Sequence, residues 1–178
     1  MTATTQPIRR IMLFGRPGSG KSTFAHQLQQ ETGLPCLHLD TIFFKAHWIE
    51  QNQDIFLAKQ NTLVHKPAWI IDGNCLASLA IRWQHADLVL YFNFSRMRCL
   101  FGILTRLLMP DATTAYRAAG CPNTLNYKLI HYLWHFQKRA TPIIQTLQKR
   151  YPDTPFVSVQ TRQELHAVRK MILKHQSG

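Results

Sequence analysis

Apolar residues in this chain fall into short blocks separated by longer stretches with helical spacing. Ile8 to Phe14, Pro35 to Leu39, Ala68 to Asp72, Leu88 to Phe94 and Pro155 to Val159 are compact apolar runs, the pattern of strands buried on both faces. Helices are predicted between them. The first runs from about Gly20 to Thr32 and stops at Gly33, a helix-ending glycine. Others are expected over Asp54 to His65, over Leu76 to His85, and from a Ser95 cap to about Met109. A further helix opens at Asn123 or Thr124 with aromatic residues on one face, and another starts at Thr141-Pro142, with proline at its first position. The last follows the capping box Thr161-x-x-Glu164 and keeps Leu165, Val168 and Ile172 on one side. Thr41 to Trp48 reads as a loop, and Pro110 to Asn123 as a mobile loop or short lid. Strands alternating with helices predict a doubly wound α/β domain, a parallel sheet covered on both faces, spanning residues 1–178 as one unit.

The junction of the first strand and first helix carries the chemistry. Gly15, Arg16, Pro17, Gly18, Ser19, Gly20, Lys21, Ser22 and Thr23 form a G-x-x-x-x-G-K-[ST] phosphate loop in the setting of strand, loop and helix. Its glycines let backbone N–H groups close around an anion, and the helix N-terminus adds a favourable dipole. Lys21 is expected to reach the β- and γ-phosphates of ATP, and the Ser22 hydroxyl to ligate Mg²⁺.

In such sheets ligands sit beyond the carboxyl ends of the strands. Two of the nine acids, Asp40 and Asp72, are expected at strand exits. Asp72, after Trp69-Ile70-Ile71, fits the acid that holds Mg²⁺ beside Ser22, directly or through water. Asp40 could orient an acceptor hydroxyl, join the metal shell, or only cap a turn. His38 reads as a strand side chain rather than a base, and His131 with His135 as packing rather than a metal pair.

Charge sharpens this picture. Lys and Arg total 21 against nine acids, a formal +12, which suits nucleotides, phosphorylated substrates or a nucleic-acid backbone. Much of the excess lies between Arg96 and Arg150, and phosphoryl transfer needs positive charge around the migrating group. Arg96 and Arg106 are expected near the site, with Arg139 contributing from the following helix. Cys36, Cys75, Cys99 and Cys121 are scattered like reduced cytosolic thiols. No run of about 18 apolar residues and no signal-peptide pattern is present, so a cytoplasmic location without a membrane partner is expected.

Taken together, Gly-x-Pro-Gly-Ser-Gly-Lys-Ser-Thr at 15–23, Leu37-His38-Leu39-Asp40, Trp69-Ile70-Ile71-Asp72-Gly73-Asn74, Arg82 with Ala86-Asp87, and Arg96 with Arg106 resemble the adenylate-kinase-like P-loop kinases. With Gly120-Cys121-Pro122, Trp134 and Lys138-Arg139, they resemble more narrowly the bacterial FlaR-type "DNA topology modulation" proteins. The resemblance spans Arg10 to about Val168. It implies a five-stranded parallel sheet of order 2-3-1-4-5, an acceptor region at about 40–66 and 74–82 that includes Asn74 and Arg82, and a lid region at about 96–140. It also implies phosphate-clamping roles for Arg96 and Arg106. Ser95 and Cys75 depart from the family's usual proline and aromatic residue, the second of these next to the acceptor.

The expectation is therefore an ATP- and Mg²⁺-dependent phosphotransferase acting on a small molecule, with a nucleoside or nucleotide among the candidates. A nucleic-acid-associated NTPase, suggested by the charge, and a nucleotide-dependent switch are the alternatives. The acceptor and the oligomeric state are left open.

Overall fold

The apolar run around residue 11 is used on both sides. In the computed structural model, which describes residues 7–108, 120–121 and 125–176, β1 (Arg10–Gly15) is the central strand of a five-stranded parallel sheet. Ile11 and Leu13 face one core, with Phe24, Leu28, Leu90, Ile103, Val168 and Ile172. Met12 and Phe14 face a second core, with Phe56, Trp69, Trp83, Tyr91, Phe136 and Ile144. Helices therefore cover both faces, as the near-continuous hydrophobic strands require.

The remaining strands are β2 (Cys36–His38), β5 (Trp69–Asp72), β6 (Leu88–Phe92) and β7 (Phe156–Val159), in the order β2-β5-β1-β6-β7. This is the expected 2-3-1-4-5 order. The numbering differs because a small antiparallel hairpin, β3 (Phe44–Lys45) and β4 (Ile49–Glu50), precedes β5 in the chain. The helices are α1 (Lys21–Thr32), α2 (Leu39–Phe43), α3 (Gln53–Val64), α4 (Leu79–His85), α5 (Arg96–Leu108), α6 (Tyr127–Arg150) and α7 (Arg162–Gln176). Ser95 caps α5, its hydroxyl accepting from the Arg98 N–H at 3.3 Å, and Thr161 caps α7 through the Glu164 N–H at 3.2 Å.

Three expectations are corrected. The segment from Thr41 to Trp48 is not a loop: it completes α2 and enters the β3–β4 hairpin. At the hairpin turn His47 and Trp48 adopt left-handed φ of 62° and 59°. Their N–H groups donate to the Gly120 carbonyl at 3.0 Å and the Cys121 sulfur at 3.4 Å, which holds this costly backbone in place.

The two helices expected to meet at Thr141-Pro142 are one 24-residue helix, α6. Leu133, Phe136, Ala140, Ile144 and Leu147 form a single buried stripe across Pro142, so packing overrides the missing N–H. The Thr141 hydroxyl donates to the Gln137 carbonyl just upstream, at 2.8 Å. The cap of α6 is Asn126, whose side chain accepts from the Leu129 N–H; residues 123 and 124, expected to open it, lie outside the described residues. Most of the expected lid, 109–119 and 122–124, lies outside them too.

The aromatic residues of α6 also do not share a face: Phe136 is buried, while Tyr127 is 80% exposed and Trp134 opens to solvent.

Candidate functional site

The phosphate loop leaves the carboxyl end of β1 and curls through Gly18 and Gly20, with φ of 76° and 87°. Gly20 is the N-cap of α1, without a side-chain cap and without an acid in the first turn. The orphan N–H groups at this helix end are thus left to an anion rather than to a competing side chain. Gly18 has a second role. A Cβ there would strike the Cys99 carbonyl of α5, and a Cβ on Gly102 would strike the Gly18 carbonyl. The loop and α5 meet backbone to backbone at a pair of glycines, and Gly102 carried no signal that spacing alone reveals.

Not every residue of the loop faces its cavity. Arg16 is buried, and its guanidinium donates to the Phe94 carbonyl and the Gln137 Oε1. It fastens the loop to the exit of β6 and to α6, so what Arg16 leaves for the loop's anion is its backbone. Gln137, whose amide completes this anchor, was not singled out from the sequence.

Asp72 ends β5, one strand over from the loop, and is buried. Its Oδ2 accepts from the Ser22 hydroxyl at 2.6 Å and pairs with His38 Nδ1 at 3.0 Å, while the buried Oδ1 has no hydrogen-bond partner. Burial alone would raise the carboxyl pKa. The bond from His38, the charge of Lys21 and the bond from Ser22 outweigh that and hold it below its ordinary value. A buried, ionised carboxylate with one vacant oxygen, bonded to the phosphate-loop hydroxyl, fits Mg²⁺. Among the described residues no three His, Cys, Asp or Glu side chains cluster as metal ligands.

Asp40 is not at a strand end. β2 stops at His38, and Asp40 lies in the first turn of α2, with the Thr41 hydroxyl donating to the His38 carbonyl at 2.7 Å. Asp40 is an exposed residue, yet the surrounding protein desolvates its carboxyl and raises its pKa. Asp72 adds to the rise, while Lys21, His38 and Arg106 oppose it. The structure therefore brings Lys21, Ser22, Asp40, Asp72 and Arg106 into one electrostatic neighbourhood.

Asn74 lies just beyond. Its Oδ1 accepts from the Gly15 N–H at 3.0 Å, and its carbonyl accepts from the Tyr132 hydroxyl at 3.2 Å. Arg139 on α6 is exposed and stacks on Tyr132, 5.8 Å from the ring centroid.

Two other arginines go elsewhere. Arg82 has no exposed surface and donates to the Gly73 and Cys75 carbonyls, each at 2.9 Å. It buttresses the turn after β5 from beneath, and burial lowers its pKa to about 10; its expected contact with the acceptor is corrected. Arg96, at the exposed first turn of α5, lies over Trp134 at 5.2 Å from the centroid. Its helical neighbour Arg98 instead stacks on Phe94 at 4.8 Å.

Beside the loop a groove of about 410 Å³ is lined by Ser19, Gly20, Thr23, Gln27, Arg98 and Arg162, among others. It is open, basic and contiguous with the anion-binding end of α1. His131 and His135 stack at 4.2 Å on an exposed turn of α6.

No family model and no curated protein sequence matches the chain. Solved structures do. The chain is similar to a shikimate kinase from Acinetobacter baumannii, solved in complex with shikimate, at TM-score 0.60 and 16% identity, over 94% of each chain. It is also similar to a sugar kinase from Janibacter sp. HTCC2649, in unliganded form, at TM-score 0.54 and 17% identity, over 96% of this chain and 95% of that one. These likenesses establish the phosphate-loop α/β fold of the kinase type, and at such identity they establish the fold alone.

Proposed function

We propose that this protein is an ATP-dependent phosphotransferase that moves the γ-phosphoryl group to a small-molecule acceptor. The observation that carries the reading is the placement of two carboxylates with opposite electrostatic environments beside one phosphate loop. Asp72 is held ionised against Ser22, whereas the carboxyl pKa of the exposed Asp40 is raised. Divergent acids of this kind mark separate roles.

The triphosphate lies on the N–H groups that open α1, with Lys21 against its β- and γ-phosphates and its base in the groove beside Thr23 and Arg98. Ser22 and Asp72 would hold Mg²⁺, which would supply positive charge to the transferring phosphoryl group. Asp40 accepts a hydrogen bond from the acceptor hydroxyl. The acceptor oxygen attacks the γ-phosphorus, the bond to the β–γ bridging oxygen breaks, ADP leaves, and the hydroxyl proton passes to Asp40. Arg106 supplies positive charge on the acceptor side. The exposed Arg139, next to Tyr132 and Asn74, is the residue best placed to read a distal anionic group of the acceptor. The fold's occurrence in a shikimate kinase and a sugar kinase supports a small-molecule acceptor.

Calorimetric titration of ATP and GTP, with and without Mg²⁺, tests the donor half. Saturable triphosphate binding that tightens with Mg²⁺ and is lost in Lys21→Ala is expected. A wild-type protein that binds neither nucleotide would overturn the proposal.

A further inference from the structure

One histidine in this site was expected to be an ordinary strand side chain. His38 is the last residue of β2, in register with Asp72 on β5, and its Nδ1 lies 3.0 Å from Asp72 Oδ2. On the other side of the ring, Nε2 lies 3.6 Å from the Cys36 sulfur. The pair is enclosed: the His38 side chain is 12% exposed and that of Asp72 is 5% exposed. Below the ring, the His38 carbonyl accepts from Thr41, fixing the turn that carries Asp40.

From this geometry we infer that His38 is the positioning residue of the metal-binding carboxylate: its Nδ1–H holds Asp72 Oδ2 so that Oδ1 is presented to the Mg²⁺ of the bound nucleotide. The inference rests on the reading of Ser22 and Asp72 as the metal-holding pair.

Three observations converge on it. First, a carboxylate that rotated freely about its Cβ–Cγ bond would offer either oxygen. Here Ser22 and His38 both bond to the same oxygen, and the atom without a partner is Oδ1. A serine hydroxyl can give a lone pair to a metal ion and still donate to Oδ2, so Ser22 and His38 together keep that oxygen engaged. Second, the partner on Oδ2 has to be a donor: a carboxylate oxygen only accepts, so the 3.0 Å contact places a hydrogen on Nδ1, facing Asp72. Third, His38 joins the two acids of the site. Its side chain holds Asp72, and its main chain starts the turn bearing Asp40, so one residue sets the offset between the donor-side and acceptor-side carboxylates. Outer partners of metal ligands act in this way generally, orienting the ligand without touching the ion.

The test uses the full chain, Mn²⁺ as the metal probe and a non-hydrolysable ATP analogue, with metal binding read by electron paramagnetic resonance. His38→Asn places an amide N–H where Nδ1 was, while His38→Gln places it near the Nε2 position and His38→Leu removes it. Leu and Gln are expected to weaken Mn²⁺ in the nucleotide complex by about tenfold or more, and Asn to restore it to within about threefold of wild type. Affinity for the analogue measured in chelator is expected to stay unchanged in all three. Equal Mn²⁺ affinity in His38→Gln and wild type would overturn the assignment of His38 and leave the kinase reading intact. Loss of metal binding in Asn and Gln alike would also overturn it, since the donor position would then not matter. A wild-type protein that binds the analogue but no Mn²⁺ would overturn this inference together with the metal-holding roles of Ser22 and Asp72. If His38→Leu does not fold, which thermal unfolding reports, the Asn–Gln comparison still decides.

Discussion

Gly18 of the phosphate loop and Gly102 of α5 touch backbone to backbone, with no room between them for a methyl group. The contact makes α5 the back wall of the loop, although the two residues are far apart in sequence. Gly102→Ala therefore has to push the loop or the helix. It is expected to cost about 1–3 kcal/mol of stability and to weaken ATP binding disproportionately, because the displaced atoms belong to the anion cradle. Denaturant unfolding together with nucleotide titration checks both. Wild-type nucleotide affinity in a destabilised Gly102→Ala would show that the wall does not shape the loop.

Asp72 and Asp40 separate stability from function. The folded-state pKa of Asp72 is lowered, so its ionisation adds stability above the unfolded value of about 3.9, and that stability is lost as pH falls through the folded value. Asp72→Asn should flatten the acid limb of the stability–pH curve below about pH 4 and reduce turnover by about a hundredfold or more. An acid limb identical to wild type would contradict the ionised, bonded state of this carboxylate.

Asp40 runs the other way. Its pKa is raised, so the ionised form is disfavoured in the folded protein and stability gains as pH falls through the folded value. Asp40→Asn is expected to keep or raise Tm at neutral pH, to keep ATP binding, and to lose transfer. A lowered Tm with intact transfer would move Asp40 from the reaction to the scaffold.

Arg82 and Arg139 divide in the same manner. Arg82→Met removes two buried charge-assisted bonds to carbonyls and is expected to cost about 2–4 kcal/mol, with catalysis lost in step with folding. Arg139→Ala should leave Tm unchanged, since its side chain is exposed, and should raise KM for an anionic acceptor. Thermal unfolding and steady-state kinetics on the pair of variants separate the two roles.

What the sequence made legible was whatever depends on local pattern. The five strands, the loop motif and the caps at Ser95 and Thr161 each follow from spacing over a few residues. What it hid depends on contacts between distant positions. Arg82 looks like a ligand-binding cation in one dimension, and only its bonds to buried carbonyls show it to be a brace. Pro142 looks like a helix start, but a buried stripe runs through it. Asp40 moved from a strand exit into a helical turn because β2 is only three residues long. His38 looked like filler until β2 and β5 were set in register.

Phosphoryl transfer is the decisive property of this site. The wild-type protein should be incubated with γ-labelled ATP, Mg²⁺ and a small-metabolite extract, beside Lys21→Ala, and the label followed by chromatography. Label is expected in a stable new small-molecule phosphate with wild type and not with Lys21→Ala. Label that stays on ATP, or appears only as inorganic phosphate, across the whole metabolite pool would rule out a small-molecule phosphotransferase.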